Sequence, residues 1–496
     1  MEAKRIAYCS PLNPQPSGIS DYSEELLPYL SQYAEITVFV SRGVEPSNSR
    51  IRRHLAVQPL ERLPRLHAER AYDAILYHMG NSPVHAEIYE AARKIPGVVV
   101  IHDLVLHHFK LWYAAARRGE IGEYLQEMRR CYGERGAAVA SRMARGQLLD
   151  VAFTMPLVED LIEGARGIIG HSRFVTERVR AMRADVPVAH VPMGVPLPPL
   201  VSQADARASL GLPAGVPLWA SFGHINPYKR MEPALRAFRR FRTLEPEARY
   251  LLVGSVSPSY DLAGVIRRLG LQDAVMVTGY VPPAAFTRYV AASDLCLNLR
   301  YPTAGETSAS VLRLLGAARP TLVSAIDALA ELPDDVCAKV DLGAAEGDQI
   351  LAYARLLFLR PELAADLGRS ARRFVAGQHS LDGAARGFMD FLADVYGWET
   401  PARQRPPLWE DAPKALTPSP SPRRGEGSED ELVPPLPAWE RGRGGEGLQT
   451  TLTRDAGAAL AELGVEPSDH AILEDTAGII AELAQSPLRG RRKREP

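Results

Sequence analysis

The residues best suited to chemistry lie in the stretch 300–310, RYPTAGETSAS, which follows the apolar run 295–299. The run predicts a buried strand, and the glycine predicts a turn that brings a lone carboxylate, Glu306, to the first turn of a helix. The free N–H groups and the positive dipole end of a helix start attract an anion. Because the neighbouring carboxylate can accept hydrogen bonds from hydroxyl groups, the stretch predicts a site for a phosphate next to a sugar.

A second candidate group is the cation pair Lys229 and Arg230, which follows the strand-like run 218–223 at the start of a predicted helix. Two adjacent cations at the carboxyl end of a strand are well placed to neutralise a diphosphate leaving group. The alternative, a solvated helix start, stays open at this point.

The first half of the chain offers two further candidates, Gly18 and the pair His102 and Asp103. Gly18 precedes a helix after a proline-rich loop, where it would let a ligand approach the backbone, and its alternative role is in packing. His102 and Asp103 follow the run 98–101 at the carboxyl edge of a parallel strand, where ligands bind in such sheets. The alternative is a histidine satisfied by backbone groups, with Asp103 capping the next helix. The dinucleotide fingerprint G-x-G-x-x-G is absent at Gly18.

Strand-like and helix-like segments alternate along the chain, which predicts an α/β protein with two doubly wound parallel sheets. Five prolines in residues 187–200 predict a stiff boundary between the two units, and a cleft is expected where their strand ends meet. The predicted strands are 5–9, 35–40, 74–78, 98–102 and 167–170 in the first unit, and 218–223, 249–253, 274–278, 295–299, 321–324 and 336–340 in the second.

The composition predicts where the folded units end. Residues 1–195 form the predicted first domain, and residues 196–380 the second. Residues 399–450 are rich in Pro, Gly, Arg and Glu and poor in aliphatics, so we expect a disordered linker there. Residues 451–496 are predicted to be a helical and basic tail.

The overall charge and the cysteines narrow the classes of function. Lys plus Arg number 58 against 59 Asp plus Glu, a formal charge of −1, so no global field attracts nucleic acid or an anionic membrane. The four cysteines are far apart and form no C-x-x-C pair, which predicts free thiols in a reducing compartment. We expect a cytoplasmic protein, because neither a signal peptide nor a run of about 20 apolar residues is evident.

Taken together, these motifs resemble the retaining glycosyltransferases of family four, of the glycosyltransferase group 1 type. The resemblance implies the GT-B fold, in which two Rossmann-like domains face each other across a cleft and a last helix, here 381–398, crosses back to the first domain. It covers about residues 4–398 and depends on the order and spacing of several motifs. These motifs are residues 17–22, 97–103, 171–175, 191–195, 222–230, 252–254, 277–279 and 305–308.

The resemblance also implies a role for each candidate residue. His102, Lys229 and Glu306 would be the catalytic residues: His102 would contact the transferred sugar, Lys229 would bind the diphosphate, and Glu306 would hold sugar hydroxyls. The remaining donor-binding residues would be Gly18, Arg230, His224, Gly305, Thr307, Ser308 and Ala309.

Two positions depart from the family pattern. His224 stands where the family has a basic residue, so the compensation of leaving-group charge would be weaker or pH-dependent. Leu314 stands eight positions after Glu306, where the family has a second glutamate that holds the nucleotide ribose. Either the nucleotide is bound differently here, or catalysis is impaired.

The implied function is transfer of a sugar from a nucleotide-diphosphate sugar to an acceptor hydroxyl, with retention of the anomeric configuration. No cofactor is expected, and no metal, since no Asp-x-Asp motif marks the cleft. The acceptor would be a glycan, a lipid or a small molecule; nucleic acid is not expected and membrane contact is not indicated. The alternatives are a nucleotide-sugar epimerase or phosphorylase of the same fold, and a non-catalytic nucleotide-sugar-binding scaffold.

Overall fold

The computed structural model describes residues 3–70, 72–147 and 150–409, so most of the predicted linker and all of the predicted tail lie outside the described residues. Two parallel β-sheets organise the chain. The first has the order β3-β2-β1-β4-β5-β6-β7 and the second β10-β9-β8-β11-β12-β13. The strands are β1 (Lys4–Cys9), β2 (Ala34–Val40), β3 (Ala56–Pro59), β4 (Ala74–Met79), β5 (Val98–Ile101), β6 (Gly167–Gly170), β7 (Val188–His190), β8 (Leu218–Phe222), β9 (Arg249–Val253), β10 (Val275–Gly279), β11 (Leu295–Asn298), β12 (Thr321–Ser324) and β13 (Ala338–Val340).

Helices cover both faces of each sheet, which explains why the central strands are continuous apolar runs. In α10, the buried side chains recur at the helical spacing 231, 234, 235, 238 and 241, and pack on the second sheet. The helices are α1 (Gly18–Leu30), α2 (Ser49–His54), α3 (Leu63–Arg70), α4 (Ala86–Lys94), α5 (His107–Trp112), α6 (Ile121–Met143), α7 (Glu159–Gly164), α8 (Arg173–Met182), α9 (Gln203–Ser209), α10 (Met231–Phe241), α11 (Leu262–Arg268), α12 (Pro283–Ala292), α13 (Ala309–Gly316), α14 (Asp327–Ala330), α15 (Glu346–Leu359), α16 (Pro361–Gln378) and α17 (Leu381–Tyr396).

The strand order reverses beside β1 in the first sheet and beside β8 in the second. In each sheet the chain winds outward from that strand in one direction and then returns to wind in the other, β1 lying between β2 and β4, and β8 between β9 and β11. Loops at such a reversal diverge and leave a crevice at the carboxyl ends of the strands. The predicted pair of doubly wound parallel sheets is confirmed.

The last helix, α17, packs on the first sheet although it follows the second in sequence. Its side chains Phe388, Met389 and Leu392 share a core with α1. The chain reaches it beside the linker between the sheets, where Val195 N–H donates to the His379 carbonyl at 2.9 Å. The residues after α17 also contact the first unit, since Gln404 N–H donates to the Gln32 carbonyl at 2.8 Å.

The secondary structure differs from the predictions mainly at the edges of the first sheet. The strands β3 and β7 lie at its two edges and were not expected, and β7 falls within the proline-rich boundary. Helix α5 begins at His107 and not directly after Asp103. The intervening loop is instead fixed by hydrogen bonds, because Val105 N–H donates to the Ala304 carbonyl at 3.0 Å and Leu106 N–H to the Pro156 carbonyl at 2.7 Å.

The two units touch at several points around the cleft. Besides the Val105 hydrogen bond, Arg313 of α13 pairs with Glu25 of α1 at 2.6 Å. The backbone N–H of Arg173, at the start of α8, donates to Glu331 at 2.9 Å. These contacts bring the carboxyl ends of both sheets to opposite sides of one cavity.

Candidate functional site

A cavity of about 220 Å³ lies between the carboxyl ends of the two sheets. Its volume is below the roughly 300–1,000 Å³ of typical small-molecule sites, so in this arrangement it holds part of a ligand as large as a nucleotide sugar. The first unit contributes Asn81, Asp103, His108 and Phe153, and the second contributes Asn226, Tyr228, Lys229, Arg300, Pro302, Ala304 and Glu306.

Glu306 is held in place by the loop that follows β11. One carboxylate oxygen pairs with the guanidinium of Arg300, and the other accepts the backbone N–H of Ala304 at 2.9 Å. Arg300 is itself buried and also donates to Asn298 Oδ1 at 2.8 Å and Ser308 Oγ at 2.9 Å. Glu306 is therefore a preorganised carboxylate with an arginine partner, and the expectation of a lone carboxylate was wrong.

Helix α13 begins after Glu306. Ser308 is its N-cap, with Oγ accepting Val311 N–H at 3.4 Å, so Glu306 lies in the preceding turn and not in the first helical turn. Gly305 has a φ of 79°, which favours glycine. Thr307 Oγ1 is buried without a hydrogen-bond partner among the described residues. The backbone of Thr307 leads into the start of the helix, whose first residue is Ala309.

Lys229 presents its ammonium group to the same cavity from a short 3-10 helix, Pro227–Lys229. It makes no hydrogen bond or ion pair with any residue in the described ranges. Burial, followed by repulsion from Arg300, lowers the pKa of Lys229 to about 7, and attraction to Glu306 opposes this shift. An anionic ligand would stabilise the charged form of this half-buried amine and so raise its lowered pKa.

Arg230 does not join Lys229 in this cavity. Its Nε donates to Glu346 Oε1 at 3.0 Å, and the second nitrogen of the fork pairs with the other carboxylate oxygen. The Glu346 side chain is buried, and both residues line a separate depression of about 890 Å³ between α10 and α15. The structure therefore gives Arg230 a structural ion pair and does not bring it to the predicted diphosphate site.

His102 follows β5 and is buried among aromatic side chains. Its Nε2 lies 2.9 Å from His78 Nδ1, and its ring centre is 4.9 Å from that of His171 and 5.3 Å from that of Tyr22. Burial, followed by repulsion from His171 and His78, holds the pKa of His102 well below its usual range. The imidazole is therefore neutral, and its ring partner is a side chain instead of the backbone group considered as the alternative.

Asp103, the next residue, lines the cavity that His102 does not line. Its Oδ2 accepts the backbone N–H of Asn81 at 2.7 Å, and Asn81 Oδ1 in turn accepts Phe109 N–H at 2.9 Å. The alternative of Asp103 as a helix cap was wrong, because α5 begins four residues later. Burial, and then repulsion from Glu306, raises the pKa of Asp103 to about 7 against the opposing effect of Asn81 and Arg300.

Gly18 and His224 lie outside the lining of the cavity. Gly18 is the exposed first residue of α1, and a Cβ built there would meet nothing within 4 Å. His224 Nδ1 lies 3.0 Å from Ser255 Oγ. Their predicted part in donor binding stays a prediction.

Leu314 is fully buried in the core of the second sheet, with Phe222 and Leu251 among its neighbours. A side chain at position 314 therefore does not face the cleft. The preceding residue, Arg313, does face it and reaches Glu25 of the first unit. The expectation that Leu314 removes a ligand contact does not fit this geometry, because the chain places arginine at the cleft-facing position.

Two groups at the cavity were missed as site residues. Arg300 stands directly after a buried strand, and a cation in that position was already a signal of function. Asp103 was named with His102 as a candidate pair at the strand end, with a helix cap as the alternative, but it was given no role in the site. Both follow from the rule that ligands bind at strand carboxyl ends, applied to every polar residue there.

No cluster of three or more His, Cys, Asp or Glu side chains in the described ranges is arranged to hold a metal ion. Within the same ranges, no helix combines the length and the apolar character that crossing a membrane requires.

Comparison with known proteins gives a family match in the second unit. Residues 202–312 match the model for "Glycosyl transferases group 1". Among curated proteins, an alpha-monoglucosyldiacylglycerol synthase from Streptococcus pneumoniae is 24% identical over 163 residues, which is 32% of this chain and 37% of the relative. A D-inositol 3-phosphate glycosyltransferase from Saccharomonospora viridis is 26% identical over 202 residues, or 39% of this chain and 46% of the relative. The chain thus spans less than half the length of these relatives.

Solved structures match over a larger share of the chain. A sucrose-phosphate synthase from Thermosynechococcus elongatus superimposes with a TM-score of 0.58 at 16% identity, over 79% of this chain and 99% of that chain. The Anabaena protein Alr3699/HepE in complex with UDP superimposes with a TM-score of 0.57 at 14% identity, over 79% of this chain and 100% of the other. At these identities the likeness shows the fold alone, which is the predicted arrangement of two Rossmann-like sheets.

Proposed function

We propose that this protein is a retaining glycosyltransferase, because it has the predicted GT-B fold and a region that matches the glycosyl transferases group 1 model. It transfers a glycosyl unit from a nucleotide-diphosphate sugar to an acceptor hydroxyl. The observation that carries the proposal is the meeting of Lys229 and the Arg300–Glu306 pair at one cavity between the two sheets.

Each of these groups suits one part of such a donor. Lys229 has no hydrogen-bond or ion-pair partner among the residues that the structure describes, and it is placed for a diphosphate oxygen, whose developing charge it stabilises as the bond to the sugar breaks. Glu306 is rigidly held and accepts hydrogen bonds from sugar hydroxyls. Arg300 pairs with this carboxylate and orients it.

The reaction needs little covalent participation by the protein. The bond between the anomeric carbon and the diphosphate oxygen breaks, a bond from the acceptor oxygen forms on the same face, and the acceptor proton passes to the released diphosphate. The protein contributes positioning and stabilisation of the leaving group. No cofactor beyond the donor is required.

Uridine is our first choice of nucleotide, because the similar Anabaena fold was solved with UDP and with UDP-glucose. The curated relatives are named for different acceptors, a diacylglycerol in one case and D-inositol 3-phosphate in the other. Their names therefore give no common acceptor to propose.

The proposal is tested by thermal-shift screening with UDP-, GDP- and ADP-sugars, followed by measurement of nucleotide release. A ligand present at 100 times its dissociation constant adds about 2.7 kcal/mol to stability. We expect one donor to stabilise the protein and to be turned over, and Lys229→Met to lower turnover by about 100-fold. The proposal fails if no donor is turned over. Binding without any release of nucleotide would instead indicate the scaffold.

A further inference from the structure

We propose that Asp103 is the group that binds and orients the attacking hydroxyl of the acceptor. The inference rests on the proposed function and adds a residue on the first unit to those placed on the second. It starts from the fact that two carboxyl groups, Asp103 and Glu306, line the same cavity from opposite sides.

The two carboxyl groups differ in how many oxygens are already engaged. Glu306 has one oxygen on Arg300 and the other on Ala304 N–H. Asp103 has Oδ2 on Asn81 N–H, and Oδ1 makes no hydrogen bond with any residue in the described ranges. This second oxygen is also absent from the buried atoms that lack a partner, so it is accessible from the cavity. Asp103 can therefore accept a hydrogen bond from a hydroxyl group without giving up its structural contact.

The surroundings of Asp103 fix the direction of that free oxygen. Gly80 precedes Asn81 at the end of β4, and a Cβ at position 80 would come within 3.0 Å of Asp103 Oδ2 and 2.5 Å of Ile19 Cδ1. Asn81 is itself tied to α5 through Phe109 N–H at 2.9 Å. Gly80 leaves room for the carboxyl group, and Asn81 is held through both its backbone N–H and its side chain. Together they hold the Asp103 carboxyl group in one orientation, as a positioning role requires.

The location of Asp103 on the first unit suits the acceptor and not the donor. The cations that can meet a diphosphate, Lys229 and Arg300, lie on the second unit, and a second carboxylate near a diphosphate would repel it. On its own side Asp103 has neutral neighbours: burial, followed by repulsion from His107, lowers the pKa of His108 to about 4. The first wall thus offers hydrogen bonds and aromatic surface, which suit an uncharged hydroxyl on a polyol.

The test uses Asp103→Asn, which keeps an oxygen for Asn81 N–H but replaces the oxygen that would accept a hydrogen bond from the acceptor hydroxyl. Release of the nucleoside diphosphate is measured with the donor selected by the screen, with D-glucose, myo-inositol and water as acceptor probes. We expect Asp103→Asn to bind the donor within about twofold of the parent and to release nucleotide at least tenfold more slowly with every probe. The control Asp185→Asn, on an exposed residue of the same unit, should change neither quantity.

The outcomes separate this inference from the function it rests on. A parent protein without turnover overturns both. An active parent whose Asp103→Asn variant keeps the full rate overturns only the role of Asp103. If Asp103→Asn does not fold, Asp103→Glu replaces it, and an unchanged rate with the displaced carboxylate counts equally against the role.

A second measurement on the parent protein needs no variant. The ionised Asp103 is the better acceptor of a hydrogen bond, so kcat/KM for the probe should fall as the pH drops through about 7. The charged or titratable groups that line the cavity with Asp103 are Glu306, Arg300, Lys229 and Tyr228 on the second unit and His108 on the first. With the donor saturating, so that its diphosphate keeps Lys229 charged, a flat profile between pH values of about 6 and about 8 would contradict the inference.

Discussion

The two walls of the cavity differ in the way they carry charge. The first wall has neutral imidazoles behind it, around His102, and one carboxyl group with a pKa of about 7. The second wall has the paired Arg300 and Glu306, and Lys229, which pairs with no residue in the described part of the chain. Burial disfavours charge on both sides, but only the second wall supplies opposite charges that offset it. The second wall is therefore suited to a charged ligand group, and the first to a neutral one.

The largest effect is expected at α13, where neighbouring positions face opposite sides. Leu314→Glu would bury a carboxylate without a partner and should lower the free energy of unfolding by about 4 kcal/mol. Arg313→Glu, one residue earlier, changes a side chain that faces the cleft and should cost much less. Urea unfolding of both variants tests this. A stable Leu314→Glu protein would mean that position 314 belongs to the cleft after all.

The adjacent cations Lys229 and Arg230 should separate stability from activity. Arg230→Met leaves Glu346 buried without its partner and should destabilise the fold by about 3 kcal/mol. Lys229→Met removes no ion pair seen among the described residues and should leave the unfolding midpoint nearly unchanged while turnover falls. Parallel urea titrations and nucleotide-release assays measure both. Loss of stability in the Lys229 variant would show that the second wall needs this charge for folding.

Low pH should destabilise the fold because of the buried histidine His171 behind the first wall. Burial lowers the pKa of His171 to about 4, so the unfolded chain binds its proton first and stability falls as pH drops from about 6.5 to about 4. Asp103 has the opposite sign, because its pKa is raised. His171→Gln should reduce the loss of stability between about pH 7 and about pH 5 by about 2 kcal/mol. Equal losses in the parent and the variant, by urea titration at both pH values, would refute this.

The smallest effect concerns the charge of Lys229 when UDP binds. In the free protein this amine is half-deprotonated at about pH 7, and a diphosphate favours its charged form. UDP affinity should therefore fall by about tenfold as the pH rises from about 6.5 to about 8.5. Lys229→Arg, whose charge does not titrate in this range, should lose most of that dependence. Calorimetry at several pH values makes the comparison.

The fold could be predicted from the sequence wherever strands are buried on both faces. The runs around β1, β4 and β5 are apolar because helices cover them, and their bounds agree with the structure to about one residue. The edge strands β3 and β7 were missed because a half-exposed strand of three or four residues has no continuous apolar run.

The site could be predicted only in part. Lys229 and Glu306 were found because they stand at strand ends, a position that sequence spacing reveals. The ion pair of Arg230 could not be predicted from the sequence, because its partner Glu346 is 116 residues away and only packing brings them together. The direction of position 314 was missed for a related reason, because a shift of one residue on a helix turns a side chain by about 100°.

Gly305 also sets how closely the two halves of the molecule approach. A Cβ at this position would come within 3.0 Å of Leu104 Cβ and 3.2 Å of the Phe174 ring, both on the other side of the cleft. The absence of one methyl group thus defines the minimum separation of the units. Any larger residue would act as a spacer, and the volume of the cavity would then depend on a single side chain.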